Sequence, residues 1–299
     1  MSDGAPAPPH GRVLHPAPGV LALYDGRVEG YRFAPEPNWV DEGAISLGIA
    51  SYAILDRGEA LVYDTGTSVA HGRWIRETVE AAGGERITVL LSHWHLDHVA
   101  GNEAFADCEI LAEARTAAHL AANRAAIEAG EVEGPPPIAP LVGPSRILGG
   151  EAELTVGERR LRLIPAEIHS DDAVVVWEEA TATLWAGDTV EDTVTYVDEP
   201  QAFEAHLRDL ERLGSLAPRH VLPAHGDPDV IAAGGYGPGL LTATADYVRF
   251  LQRCREEPAL RQLSLREILA DALAASDLRY FEPYETVHRE NVAKVLAEN

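Results

Sequence analysis

Lysine is almost missing from this chain. Of 299 residues only Lys294 is one, and Lys and Arg together number 24 against 48 Asp and Glu, a formal net charge of −24. A surface of that sign repels phosphate backbones and anionic lipid, and no Lys/Arg-rich run makes a local exception. Nucleic acid and membrane surfaces are therefore not expected partners. Cysteine is nearly as scarce: Cys108 and Cys254 lie far apart, so neither a disulfide framework nor a Cys-based zinc motif is signalled, and each reads as a small buried hydrophobe. No apolar run reaches the roughly 18 residues of a membrane span. Residues 1–18 hold several prolines but no positively charged start and no apolar signal-peptide core, so the expected location is cytoplasmic. With little apolar surface to offset its ordering entropy, that segment reads as a flexible arm.

What is present is a succession of short β-prone runs. Residues 20–24, 31–33 and 44–55 read as strands of an antiparallel meander, separated by turns at Asp25-Gly26 and Pro35 to Asn38. Trp39, Tyr24 and Tyr31 are candidates to overhang a cleft. Residues 60–63 form a further strand ending in Asp64-Thr65-Gly66, where a carboxylate can bond loop amides or orient a ligand histidine. Trp74, Ile75, Val79 and Ala82 recur at helical spacing over 71–82, and Gly83-Gly84 stops that helix. With the strand at 87–91 it makes a βαβ crossover.

That strand opens onto His93-Trp94-His95-Leu96-Asp97-His98. Three imidazoles and a carboxylate within six residues form a donor set suited to zinc and similar divalent ions, and a strand end can aim several of them into one cavity. If the segment stays extended, His93, His95 and Asp97 share a face, and a turn after Asp97 brings His98 round. A polar loop with incidental histidines is the alternative.

Farther along, a short strand at 108–111 precedes an alanine-rich helix at 114–129 and a Pro-rich surface loop at 134–137. Residues 147–148, 152–156 and 161–164 read as a second set of hairpins. Strand ends then offer His169, Asp188 and His225, each unremarkable alone. A helix spans 201–213, and the chain from Pro238 onward is helical, with a capping-box signature at Ser264 to Glu267 and a last helix over 285–297. The expected organisation is an arm at 1–18, a catalytic domain at 19–235 and a packed helical extension at 236–299.

His93-x-His95-x-Asp97-His98, followed by strand-end His169, Asp188 and His225, closely resembles the metallo-β-lactamase-fold hydrolases over roughly residues 20 to 230. Asp64-Thr65-Gly66, Ala186 to Thr189 and Pro223 to Gly226 resemble its supporting motifs. The resemblance implies an α/β (α+β) fold, a four-layer αββα sandwich with the C-terminal helices attached. It also implies two divalent ions, zinc by family habit with manganese or iron as alternatives. His93, His95 and His169 would hold one and Asp97, His98 and His225 the other, with Asp188 bridging and Asp64 behind them. The implied reaction is hydrolysis of a small ester, lactone or thioester by a metal-bridging hydroxide, with Asp97 passing the proton. Trp94 and Tyr196 are the candidate substrate-side residues.

Two departures bear on substrate. Ile168-His169-Ser170-Asp171 replaces a common Gly-His-Thr, and Asp188 disfavours the β-lactamase branch, whose members generally lack a bridging aspartate. Competing expectations are a mononuclear iron oxidoreductase resembling persulfide dioxygenases, β-lactamase or phosphodiesterase activity, and metal binding without catalysis. A small molecule is the expected partner, and the oligomeric state is left open.

Overall fold

Nearly every strand of this chain carries apolar residues on both faces, and two buried faces require two covering layers. A computed structural model, describing residues 7–197 and 199–297, meets that requirement with four layers. In chain order the elements are β1 (Arg12–Ala17), β2 (Val20–Asp25), β3 (Ile49–Asp56), β4 (Glu59–Tyr63), α1 (Val69–Ala81), β5 (Arg86–Leu90), α2 (Leu96–Val99), β6 (Glu109–Glu113), α3 (Ala114–Ala129) and β7 (Arg146–Leu148). Then follow β8 (Ala152–Val156), β9 (Arg159–Ile168), β10 (Ser170–Glu178), β11 (Thr183–Gly187), α4 (Phe203–Ser215), β12 (His220–Pro223), α5 (Pro228–Ala232), α6 (Gly239–Cys254), α7 (Leu265–Ile268), α8 (Ala270–Ala275) and α9 (Tyr284–Ala297).

One sheet runs β1 to β7 in sequence order and the other runs β12-β11-β10-β9-β8. Pairing is antiparallel from β1 to β4 and parallel from β4 to β7, where α1 and α3 supply crossovers. The period of two then sorts side chains into layers. Val20, Ala22 and Tyr24 enter the core between the sheets, whereas Leu21 and Leu23 face the layer containing Trp74, Ile75 and Leu120. On β10, Val174 and Val176 point inward while Val175 and Trp177 meet α4, α6 and α9. The helices after residue 236 are therefore part of the outer layer over the second sheet.

Local chemistry fixes the ends of the elements. Ser68 caps α1 by accepting from the His71 amide at 3.1 Å, and α3 stops at Gly130 in the left-handed region. The capping box at Ser264 is formed, but Leu269 leaves helical geometry and splits the expected helix into α7 and α8.

Several expectations are corrected. Residues 12–17 are not a flexible arm: their alternation suffices for pairing with β2 as an edge strand, and residues 1–6 lie outside the described part. Residues 31–33 form no strand, because Asp41 takes the Phe33 amide and so occupies a donor a ladder would need. Residues 40–45 coil into a helical turn, so β3 starts only at Ile49. Residues 147–148 do not belong with the second hairpins; they pair parallel to β6 and close the first sheet. Tyr24 is wholly buried between the sheets and overhangs no cleft, and Cys108 is partly exposed.

Candidate metal centre

The donor residues meet at one edge of the sandwich, beyond the ends of β5, β9, β11 and β12. The extended run after β5 ends at His95, which caps α2, so Asp97 and His98 sit on a single helical turn. Glycine at 101 permits that turn to press against the loop after β4: a Cβ there would lie 2.1 Å from the Thr65 carbonyl oxygen. His169, at the β9–β10 junction, and Asp64, after β4, both adopt left-handed backbone with φ of 69°. Such conformations cost energy and persist where the surroundings over-determine them.

The side chains converge closely. Asp188 Oδ2 lies 3.1 Å from His98 Nε2, 3.4 Å from His225 Nε2 and 3.8 Å from the Nε2 atoms of both His93 and His169. His95 Nδ1 is 2.9 Å from His169 Nε2, and Asp97 Oδ2 is 3.3 Å from His225 Nε2. Four groupings have donor atoms all within 4.8 Å of one another: His93, His95 and His169; His93, His98 and Asp188; Asp97, His98 and His225; and His169, Asp188 and Glu191.

Outer partners turn the rings inward. His98 Nδ1 is held by Asp64 Oδ2 at 2.8 Å and His93 Nδ1 by Ser92 Oγ at 2.9 Å. His169 Nδ1 meets the Tyr196 carbonyl and His225 Nδ1 the Gly48 carbonyl, both at 2.9 Å. In these four rings Nδ1 is committed outward and Nε2 faces the cluster, an orientation suited to metal ligation, whereas His95 presents its Nδ1. Asp64 Oδ1 also takes the Ser92 amide at 2.7 Å, tying the loop after β4 to the histidine-rich turn. His93 Nε2 and Asp188 Oδ1 are buried with no hydrogen-bond partner among the described residues. Orphaned buried donors and acceptors are costly, and a divalent cation bound among these imidazoles and carboxylates satisfies both, so the donor set fits a metal.

Electrostatics point the same way. Burial alone would lower His98 and His225, yet Asp188 with Asp97 and Asp64, and Asp188 with Asp97 and Glu191, raise them well above the usual imidazole range. Burial and the neighbouring imidazoles His98 and His95 push His93 well below it. Against the burial that would raise them, His98 and His225 hold Asp97 and Asp188 ionised. A cation ligated here displaces protons from His98 and His225, so its affinity falls as pH drops.

Of the two proposed substrate-side residues, Trp94 stacks on His119 with ring centroids 5.3 Å apart and lies 5.4 Å from the His95 ring. The Tyr196 ring is 6.4 Å from that of His169, and its hydroxyl accepts from Lys294 Nζ at 3.1 Å. Sequence reasoning missed Glu191. It is fully buried, belongs to a donor grouping with His169 and Asp188, and is raised by burial to about 7. Its signal was an acidic pair, Glu191-Asp192, inside the β-prone run from Thr189 to Val197.

A sequence profile described as the metallo-beta-lactamase superfamily matches residues 46–229. The chain is 25% identical over 198 residues to a protein named beta-lactamase-like protein 2 homolog from Drosophila melanogaster. That match covers 60% of this chain and 59% of the relative's length. Among solved structures, a metallo-beta-lactamase from Pontibacter korlensis superposes with a TM-score of 0.61 at 16% identity, over 80% of this chain and 99% of that one. The DIM-1 metallo-beta-lactamase gives 0.59 at 18% identity, over 81% and 98%. At such identities these structures establish the αββα fold. Among the described residues no helix is long and apolar enough to cross a membrane. Profile, fold and donor cluster agree, and the chain belongs to the metallo-β-lactamase superfamily.

Proposed function

We propose that this protein is a dinuclear metal-dependent hydrolase of a small ester, lactone or thioester. The observation that carries the reading is the position of Asp188 Oδ2, within 3.8 Å of four imidazole Nε2 atoms and so at the junction of two donor groups. His93, His95 and His169 would hold one ion and Asp97, His98 and His225 the other, with Asp188 shared. Bound there, two divalent ions supply an acidified water and polarise the scissile carbonyl.

The chain's own residues do the rest. The Asp97 side chain is 15% exposed, against 5% or less for His93, His98, His169, Asp188 and His225, so it stands at the mouth of the centre. Kept ionised by His98 and His225, it can accept a proton there and return it to the leaving group. Trp94, 5.4 Å from the His95 ring, and Tyr196, 6.4 Å from the His169 ring, would be the side chains nearest a small acyl group. The acidic surface supports a small molecule over a nucleic acid as partner.

The test is metal analysis followed by a panel of lactones, thioesters, esters, phosphodiesters and β-lactams. Two zinc or manganese ions per chain with turnover of the acyl substrates is the expected result. Turnover confined to β-lactams or phosphodiesters moves the substrate class. A single iron with oxygen consumption assigns an oxidoreductase, and tightly held metal without turnover removes catalysis altogether.

A further inference from the structure

The segment after Asp188, residues 189–197, has almost no regular secondary structure, yet it is buried and carries the carbonyl that orients His169. Irregular buried backbone must find partners elsewhere. For residues 195–197 several of them come from α9, well beyond the family-matched segment that ends at residue 229. The Asn291 side chain is fully buried and brackets Tyr196: its Oδ1 accepts from the Val197 amide at 2.8 Å, and its Nδ2 donates to the Thr195 carbonyl at 3.0 Å. One helical turn on, Lys294 donates to the Tyr196 hydroxyl and lies 4.5 Å from the ring centroid. Two turns back, the Tyr284 hydroxyl donates to Glu191 Oε2 at 2.8 Å, while Glu191 Oε1 accepts from the Tyr196 amide at 3.2 Å. Residues 284, 291 and 294 fall on one face of the helix. Amide and hydroxyl of Tyr196 and both flanking peptides are thus held from α9, directly or through Glu191, and the remaining group, the carbonyl, faces His169 Nδ1 at 2.9 Å.

We infer that α9 is a positioning element of the metal centre, with Asn291 as the positioning residue that fixes the Tyr196 carbonyl and, through it, the ring of His169. The inference rests on the reading of the centre as metal-binding. Orienting partners of ligand histidines commonly govern metal affinity by about 10- to 100-fold, and Asn291 acts one step farther out.

The experiment uses the full chain with Zn(II) or Co(II) titrated against a chromophoric chelator. In Asn291→Ala, one of the two equivalents should weaken about tenfold and the visible Co(II) spectrum should change, while the other equivalent is retained. Tyr284→Phe should weaken the same equivalent by less. Tyr247→Phe removes another bond that Asn291 makes, at 3.2 Å, without touching residues 191–197, and should bind both ions as the unaltered chain does. Should Asn291→Ala not fold, Tyr284→Phe and Lys294→Met decide on the same readouts. Variants whose titration and spectrum match the unaltered protein overturn the inference and leave the hydrolase reading standing. Equal weakening by Tyr247→Phe also overturns it, since the effect would then be general loosening. Unaltered protein that binds no metal overturns both.

Discussion

The two halves of the centre are built differently. His93, His95, Asp97 and His98 come from six consecutive residues, and His93 and His98 are oriented by nearby side chains, Ser92 and Asp64. His169, Asp188 and His225 come from three separate strand ends, and their two rings are oriented by main-chain carbonyls of Tyr196 and Gly48. A carboxylate partner raises the basicity of an imidazole more than a neutral carbonyl does. The near half therefore has its ligand strength written in replaceable side chains, whereas the far half has its geometry written in loop backbone.

Removing the carboxylate placed between the two donor groups should have the largest effect. Asp188→Ala is expected to lower kcat/KM by at least about 10³-fold, because several kcal/mol of metal-derived stabilisation are at stake. Metal content per chain read alongside would show whether both ions are lost together or only one. Acid should come next. Burial lowers His71, beneath the near half, and His206, on α4 beyond the far half, to about 4 from 6.5. At these two sites the unfolded chain then binds more protons than the folded one between those values, so their contribution to stability falls as pH drops from about 6.5 to about 4, while Glu191, raised to about 7, contributes with the opposite sign. Each histidine contributes about 3 kcal/mol to that fall. Urea midpoints across the window, compared with those of His71→Asn and His206→Asn, should show that contribution as a difference between the curves that grows as pH drops. Asp64→Asn should weaken the ion at Asp97, His98 and His225 about 10- to 100-fold in a chelator competition, leaving the ion at His93, His95 and His169 less affected. The smallest effect is expected of Ser92→Ala, which removes one uncharged hydrogen bond to His93, worth about 1 kcal/mol or roughly fivefold in affinity. Comparable losses for Asp64 and Ser92 would erase the proposed difference between the kinds of support.

The near half was legible because its donors are contiguous. The helices at 69–81 and 114–129 were legible too, since apolar spacing and caps agree there. Strand ends at 169, 188 and 225 were legible only as a set, because a lone histidine or aspartate carries no partner information. What the sequence hid is long-range. The pairing of β7 with β6 depends on register across a gap of 32 residues between their ends, which no local pattern encodes. The extended reading of 93–97 failed because the one-turn helix α2 owes its place to the close approach of Gly101 to Thr65. Glu191 and Asn291 were passed over because their importance lies in the groups facing them, 93 and 96 residues away in sequence.

Three tyrosines of the first sheet cross the core and end on main-chain oxygens of the second: Tyr24 on Gly226 at 2.9 Å, Tyr52 on Pro223 at 2.6 Å and Tyr63 on Val174 at 2.6 Å. Gly226 and Pro223 flank His225, so the phenols work as struts of fixed length between the scaffold and a ligand-bearing loop. An aliphatic core can slide or repack with little penalty, but a strut tolerates neither shortening nor lengthening. The gap between the sheets at this edge is thereby set by the length of a phenol, and the loop carrying His225 inherits that tolerance.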